Sequence, residues 1–128
     1  MTHKIHDIGV AKHIGSYSDA IEVGPGTRWL FTSGTPGLAE DGSVPDGIEA
    51  QTRLMWGHIL KTLERAGMTT ADLVKVTTTL THAGDIPLYA KIRKEILGDV
   101  KPAFMLQVVD QLVWPSLRVE VEIVAAKA

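Results

Sequence analysis

Residues 48–80 read IEAQTRLMWGHILKTLERAGMTTADLVKVTTTL, and within this stretch the spacing of apolar side chains changes from helical to strand-like. Over residues 48–66 the apolar positions recur at helical spacing, which predicts a helix with Asp46 and Glu49 as cap and capping-box partner. Over residues 74–81 side chains suited to a core alternate with more polar ones, which predicts a strand with one buried face. A helix followed by a half-buried strand is therefore the central unit of the predicted fold.

A second helix is predicted after this strand. Asp85 is placed as its cap and Gly98 at its end. The side chains predicted to form its buried stripe are Leu88, Ile92 and Ile96.

The remaining strands are predicted on either side of these elements. Residues 18–23 and 29–33 flank a glycine- and proline-rich turn, which predicts a hairpin. Residues 34–47 are predicted to form a surface loop, and residues 103–110 and 117–125 the last two strands.

This order of elements predicts an α+β fold of one domain, residues 1–128, in which both helices pack on a single face of one mixed sheet. The second face of such a sheet stays exposed unless another subunit covers it. We therefore expect an oligomer, with polar strand residues such as Glu120 near the interface between subunits.

Composition excludes several classes of function. The chain has 128 residues, a formal net charge of −2 and no cysteine, so disulfides, thiolate metal sites and a cysteine nucleophile are absent. Without a basic cluster we expect no nucleic-acid partner, and without a long apolar run no membrane span. The first nine residues lack the apolar core of a signal peptide, so the predicted location is the cytoplasm. No P-loop, dinucleotide fingerprint, nucleophile elbow or metal signature is present.

The positions of the titratable side chains in the predicted elements give only weak indications of catalysis. Glu120 and Glu122 share a strand face and could transfer protons if burial raised one pKa, but a solvated or ion-paired face with Arg118 fits the spacing as well. His58 lies within the first helix as a surface or interface residue, and His82 lies at a strand end.

Seven short motifs, in this order along nearly the whole chain, resemble those of the Rid proteins, also called the YjgF/YER057c/UK114 family. They are IGSYSDA at residues 14–20, TSGTP at 32–36, QT at 51–52, LERAG at 63–67, DLVKVT at 72–77, PA at 102–103 and VEVE at 119–122.

The resemblance implies a chorismate-mutase-like α+β fold and a homotrimer with clefts between its subunits. It also implies hydrolysis of reactive enamines or imines to a keto acid and ammonia, without a metal or organic cofactor. By motif, Glu120 would position or activate the water, Tyr17 would shape the cleft, and Ser33 with Gly34 would line it.

One departure from the family pattern concerns the residue after Pro102 and Ala103, where Phe104 replaces the arginine that grips a substrate carboxylate in the resembled proteins. A phenyl ring offers neither charge nor donor, so the chain resembles a subgroup without this arginine, and simple 2-imino acids are not its expected substrates. Three alternatives remain: a larger, apolar or neutral imine as substrate; another arginine, Arg93 or Arg118, that supplies the charge; or a trimer that binds a small metabolite without catalysis.

Overall fold

The computed structural model describes residues 3–128 of the chain. Its two α-helices are α1, Ile48–Arg65, and α2, Ile86–Leu97. Its strands are β1 His3–His6, β2 Ala20–Val23, β3 Arg28–Phe31, β4 Thr35–Pro36, β5 Leu73–Leu80, β6 Ala103–Val108 and β7 Val119–Lys127. Short 3₁₀ turns cover Ala11–His13, Thr70–Asp72 and Ala83–Asp85.

The main sheet has five strands in the order β3-β7-β5-β6, and β4 also pairs with β7. β5 and β6 are parallel and are joined through α2, whereas β7 is antiparallel to β3, β4 and β5. β1 and β2 form a separate antiparallel pair. The predicted α+β architecture with a mixed sheet is therefore confirmed, with a smaller second sheet in addition.

The hydrophobic core lies between the helices and one face of the main sheet. Trp56 and Ile59 of α1, Tyr89 of α2, and Val76 and Val121 of the central strands all have 0% exposure. Each such aliphatic or aromatic side chain contributes roughly 1.5–3 kcal/mol by burial, so this layer is the main source of stability. Both helices thus pack on one face of the sheet, as predicted.

The other side of the sheet, here called the open face, carries exposed apolar side chains. Trp29 and Phe31 of β3 alternate with the inward-facing Leu30, and they are 50% and 70% exposed. Their rings stack on each other with centroids 6.1 Å apart. Met105 of β6 is 51% exposed on the same face.

The predicted hairpin of residues 18–23 and 29–33 is wrong. Its first strand, β2, pairs with β1, and its second, β3, pairs with β7. The turn between them joins two different sheets, because each strand finds its partner through packing with distant segments, which local turn composition does not determine.

Of the two predicted caps, Asp46 is wrong and Asp85 is correct in position but makes no capping hydrogen bond. Gly47, with φ +87°, occupies the position before α1, and Asp46 makes no capping hydrogen bond. Asp85 precedes α2, but its carboxylate accepts hydrogen bonds from Arg118 and not from the helix backbone.

The buried stripe of α2 differs from the prediction at one position. Leu88 is 36% exposed, whereas the adjacent Tyr89 is fully buried, with its hydroxyl 2.5 Å from the Thr78 hydroxyl on β5. A polar partner in the core makes burial of the tyrosine favourable. No helix within residues 3–128 has the length and apolar character needed to cross a membrane.

Candidate functional site

Three of the predicted site residues lie together at the edge of the sheet near α2. The rings of Tyr17 and Phe104 meet edge to face, with centroids 6.5 Å apart and planes at 89°. The Arg93 guanidinium of α2 lies over the Phe104 ring, with Cζ 4.3 Å from the ring centroid. The Phe104 ring of β6 therefore forms a cation–π contact with an arginine of α2.

These three side chains line a cavity of about 430 Å³. Its other walls are Ile14, Gly15, Ile86, Ala90, Met105 and Leu106. Among the wall residues that the structure describes, Arg93 is the only charged one. The cavity therefore combines a mostly apolar lining with a single positive charge, and its volume lies within the range of small-molecule sites.

Backbone hydrogen bonds hold Tyr17 in this position. The adjacent Ser18 donates its N–H to the Pro102 carbonyl over 3.0 Å and its hydroxyl to the Lys101 carbonyl. Ser18 also forms an isolated parallel bridge with Ala103, next to Phe104. The segment that carries Tyr17 is therefore bound directly to the start of β6.

Asp19 fixes the chain that leads into this segment. Its carboxylate accepts N–H hydrogen bonds from Ile8, Gly9 and Ala11 over 2.9, 3.2 and 2.8 Å. Desolvation acts to raise the pKa of Asp19, but the hydrogen bonds from Ala11 and Ile8 outweigh it and hold the pKa below its ordinary value. Asp19 is a residue that positions the wall of the cavity.

The second candidate arginine, Arg118, lies elsewhere. Its guanidinium donates two hydrogen bonds to the Asp85 carboxylate over 2.9 and 3.1 Å. A bidentate pair of this kind already uses the planar donors that a substrate carboxylate would need. Of the two candidates, only Arg93 lines the cavity.

The remaining predicted residues form a second group on the open face. Glu120 of β7 alternates with the buried Val119 and Val121, so its half-buried side chain points away from the core. A Cβ at residue 34 would lie only 2.7 Å from the Glu120 Oε1, so a side chain there would force the Glu120 carboxylate to move. Ser33 is exposed beside it, and its carbonyl accepts a 3.0 Å hydrogen bond from the Thr35 hydroxyl.

Within one chain the two groups lie on opposite faces of the sheet. Phe104 pairs with the inward-facing Val76, whereas Glu120 pairs with Thr79 on the alternate face. A single chain therefore brings Tyr17, Phe104 and Arg93 together but does not bring Glu120 to them.

Neither His58 nor His82 lines the cavity, and each has a hydrogen-bond partner elsewhere. The His58 Nε2 lies 2.6 Å from the Leu38 carbonyl, and the exposed His82 lies 2.8 Å from the neighbouring Thr81 hydroxyl. Among residues 3–128, no group of three or more histidine, cysteine or acidic side chains is arranged to hold a metal ion.

The sequence reasoning did not assign a role to Gln51, a buried amide of α1 that joins two loops near the site. Its Nε2 donates hydrogen bonds to the carbonyls of Pro45 and Ser116 over 3.0 and 3.1 Å. Its Oε1 accepts a hydrogen bond from the backbone N–H of Arg118 over 2.8 Å. A signal was available, because an amide at a core-facing position of a helix needs buried hydrogen-bond partners.

Comparison with known proteins gives the family and the fold of the chain. The family described as Endoribonuclease L-PSP matches residues 9–127. A RutC family protein of Pyrococcus abyssi is 36% identical over 118 residues, covering 91% of this chain and 90% of that protein. The proposed reactive intermediate deaminase TdcF of Escherichia coli is 22% identical, covering 90% of this chain and 89% of that protein.

Among solved structures, the Rid family protein YyfB of Yersinia pestis superimposes with a TM-score of 0.85 at 23% identity, covering 99% of this chain and all of that one, and so shows the fold. The family match spans nearly the whole chain, and the Pyrococcus relative is well above 30% identity. The chain therefore belongs to the Rid (YjgF/YER057c/UK114) family.

Proposed function

We propose that this protein is a hydrolytic deaminase of a reactive enamine or imine other than a simple 2-imino acid, and that it acts in a cleft between the subunits of a homotrimer. The observation that carries the proposal is the Glu120 carboxylate. It is half-buried against Gly34, and within residues 3–128 it has no hydrogen-bond or ion-pair partner. Its oxygens are free to accept a proton from a water or a substrate.

The name of the TdcF relative points to the same class of chemistry. An imine carbon is already electrophilic, so the protein needs only to orient a water, move protons and hold the substrate. In the proposed reaction the Glu120 carboxylate takes a proton from water while the oxygen attacks the imine carbon. Glu120 passes this proton to the nitrogen, which gives a neutral carbinolamine. The carbinolamine then transfers its hydroxyl proton through Glu120 to the nitrogen, so that the carbon–nitrogen bond breaks, ammonia leaves and a carbonyl remains. An enamine enters the same route once a proton is added to its carbon.

Two observations support an oligomer, and the number of three subunits is what the family resemblance implies. The open face exposes Trp29 and Phe31, and an apolar face of this kind favours a protein partner. In addition, Glu120 and Phe104 lie on opposite faces of one sheet, so a site that uses both needs residues from two copies. The proposed partners are a second and third copy of the chain and a small molecule, with no nucleic acid, no membrane and no cofactor.

Phe104 accounts for the exclusion of simple 2-imino acids. A charge-assisted hydrogen bond contributes roughly 1.5–3 kcal/mol, and a phenyl ring on β6 supplies none. A small substrate whose carboxylate reaches only residue 104 would therefore lose about 10- to 150-fold in affinity relative to a site with an arginine at this position.

The test is ammonia release from imines generated in solution, with 2-aminoacrylate and several bulkier imines as substrates. We expect faster release with the wild type for a bulky imine, and a loss of about 10²- to 10⁴-fold with Glu120→Gln. Glu122→Gln is the matched control, because Glu122 lies two residues along the same strand and is exposed. Equal rates with and without protein across the panel would rule out the deaminase for those substrates.

The alternative is a trimer that binds a small metabolite without turnover. It is favoured by one observation: the walls of the 430 Å³ cavity include no carboxylate or histidine. Binding of a substrate analogue that Glu120→Gln leaves unchanged, together with no ammonia release from any imine, would support this function over the first. The description of the family as endoribonuclease names a third activity, which the net charge of −2 and the lack of a basic cluster disfavour.

A further inference from the structure

Arg93 is a charged side chain that contacts two aromatic residues but has no carboxylate partner within residues 3–128. It is half-buried in α2, its Cζ lies 4.3 Å from the centroid of the Phe104 ring and 5.7 Å from that of Tyr89, and no carboxylate within residues 3–128 forms an ion pair with it. Arg53 on α1, by contrast, pairs with both Glu49 and Glu95. A guanidinium without a carboxylate, at the wall of a cavity, is available to a ligand anion.

We propose that Arg93 is the anion-binding group of this cavity and that the ligand is a monocarboxylate with an apolar body about the size of a benzene ring. The inference concerns the same cavity as the proposed function and names its substrate class. It unites two observations: the lining carries one positive charge, and its other members are uncharged and mostly apolar. One carboxylate matches the charge, and an apolar body matches the aliphatic and aromatic walls.

The aromatic residue on β6 has a definite part in this arrangement. A guanidinium that rests on an aromatic face is held in place by the ring while its N–H groups remain available at its edge. Phe104 is therefore a positioning residue for Arg93. The cation enters from α2, on the helix side of the cavity, and not from β6.

The volume of the cavity supports a larger ligand. At about 430 Å³ it falls in the range of sites for drug-sized molecules, well beyond the needs of a three-carbon acid. A small acid would leave much of the apolar wall wet. A ring-sized body would displace that water and bring its carboxylate within reach of Arg93.

The test is direct binding of three probes to the full chain, measured by calorimetry or ligand-observed NMR. Benzoate carries the anion and the ring, benzamide is its neutral analogue, and acetate has the anion alone. We expect the wild type to bind benzoate at least about 10-fold more tightly than benzamide, as one charge-assisted contact allows, and acetate more weakly than benzoate. Failure of the wild type to prefer benzoate over both other probes overturns the inference without any variant.

Variants assign the preference to a residue. Arg93→Gln should bring the benzoate-to-benzamide ratio to about one, and Arg93→Lys should leave an intermediate ratio, since it keeps the charge but loses the planar donors. Arg53→Gln, a surface arginine of α1, is the control and should match the wild type. An unchanged ratio in Arg93→Gln would contradict the inference, and the lysine variant decides the matter if the glutamine variant does not fold.

Phe104→Leu tests the positioning role. It should lower the benzoate-to-benzamide affinity ratio in an otherwise wild-type chain but leave this ratio unchanged in an Arg93→Gln chain. A general loss of packing would not give this pattern.

The failure of this inference can be distinguished from the failure of the proposed function. Normal benzoate selectivity without ammonia release from any imine removes the deaminase alone, whereas deamination of carboxylate-bearing imines with an unaltered KM in Arg93→Gln removes the role of Arg93 alone.

Discussion

Replacement of Gly37 by alanine tests how β4 is held against α1 next to Glu120. A Cβ at residue 37 would lie 2.2 Å from the carbonyl oxygen of Gln51 and 3.0 Å from its carbonyl carbon. Both atoms belong to the helix backbone, so no side-chain rotation can relieve the overlap. The loop or the helix must move by about 1 Å, and overpacking of this kind costs roughly 1–3 kcal/mol or more.

Gly57→Ala is the matched substitution. Gly57 lies in the interior of α1 on its exposed side, and nothing lies within 4 Å of the position that a Cβ would take. Alanine is favoured over glycine inside a helix by about 0.8–1.0 kcal/mol, so this variant should be more stable than the wild type. The same substitution is therefore expected to lower the free energy of unfolding at residue 37 and to raise it at residue 57.

The assay is unfolding by urea and, separately, by heat, each followed by tryptophan fluorescence, for which the fully buried Trp56 is one reporter. At roughly 3–6 °C per kcal/mol for a chain of this size, Gly37→Ala should lower Tm by about 5–15 °C and Gly57→Ala should raise it by a few degrees. If Gly37→Ala lies within about 0.5 kcal/mol of the wild type, the threshold for an ordinary surface substitution, the close contact between β4 and α1 is refuted.

Three further substitutions follow from other contacts. Tyr89→Phe removes the hydroxyl that contacts Thr78 in the core and should cost about 1–3 kcal/mol, with an intact fold by circular dichroism; Tyr89→Phe as stable as the wild type would mean that this hydrogen bond is not formed. Asp85→Asn leaves the Arg118 guanidinium without its carboxylate and should lower the free energy of unfolding in urea by roughly 1–3 kcal/mol. An unchanged free energy of unfolding would mean that solvent already screens this ion pair. Asp19→Asn should destabilise the chain near neutral pH, because hydrogen bonds hold the pKa of Asp19 below its ordinary value of 3.8. Since this stabilisation is present above the unfolded pKa and is lost as pH falls through the folded one, the difference between Asp19→Asn and wild type should shrink below about pH 4, and a pH-independent difference would contradict the assigned role.

Elements with strong local periodicity could be predicted from the sequence. The helix at residues 48–66 and the strand at 74–81 agree with α1 and β5 to within a residue or two, because their apolar spacing is set by the same layer of core. The pairing of β2 with β1 could not be predicted, since the partner is a four-residue strand without an apolar alternation. Asp46 and Asp85 were assigned as caps by position, but a cap requires a local geometry that distant contacts can override.

The candidate site was predictable in part. Tyr17, Ser33, Gly34 and Glu120 were found by motif, and the structure divides them between two faces of the sheet, a division that strand alternation indicates only once register is known. The contact between Arg93 and Phe104 is not visible as a motif. It results from the crossover of β5, α2 and β6, in which the helix returns over the sheet and its side chains reach the next parallel strand.

That crossover also explains how a phenylalanine can stand at a position where the resembled proteins use an arginine. A side chain on β6 that faces the helix layer lies beside α2, so a positive charge at this point can come from either element. An arginine at residue 104 would place its guanidinium on the strand side of the cavity, where the Phe104 ring lies. With Phe104 on the strand and Arg93 on the helix, the strand side is apolar and the charge lies on the helix side. If Arg93 binds an anion as proposed, the exchange keeps an anion site within the cavity and adds an apolar surface beside it, which favours a longer and more apolar ligand for the same fold.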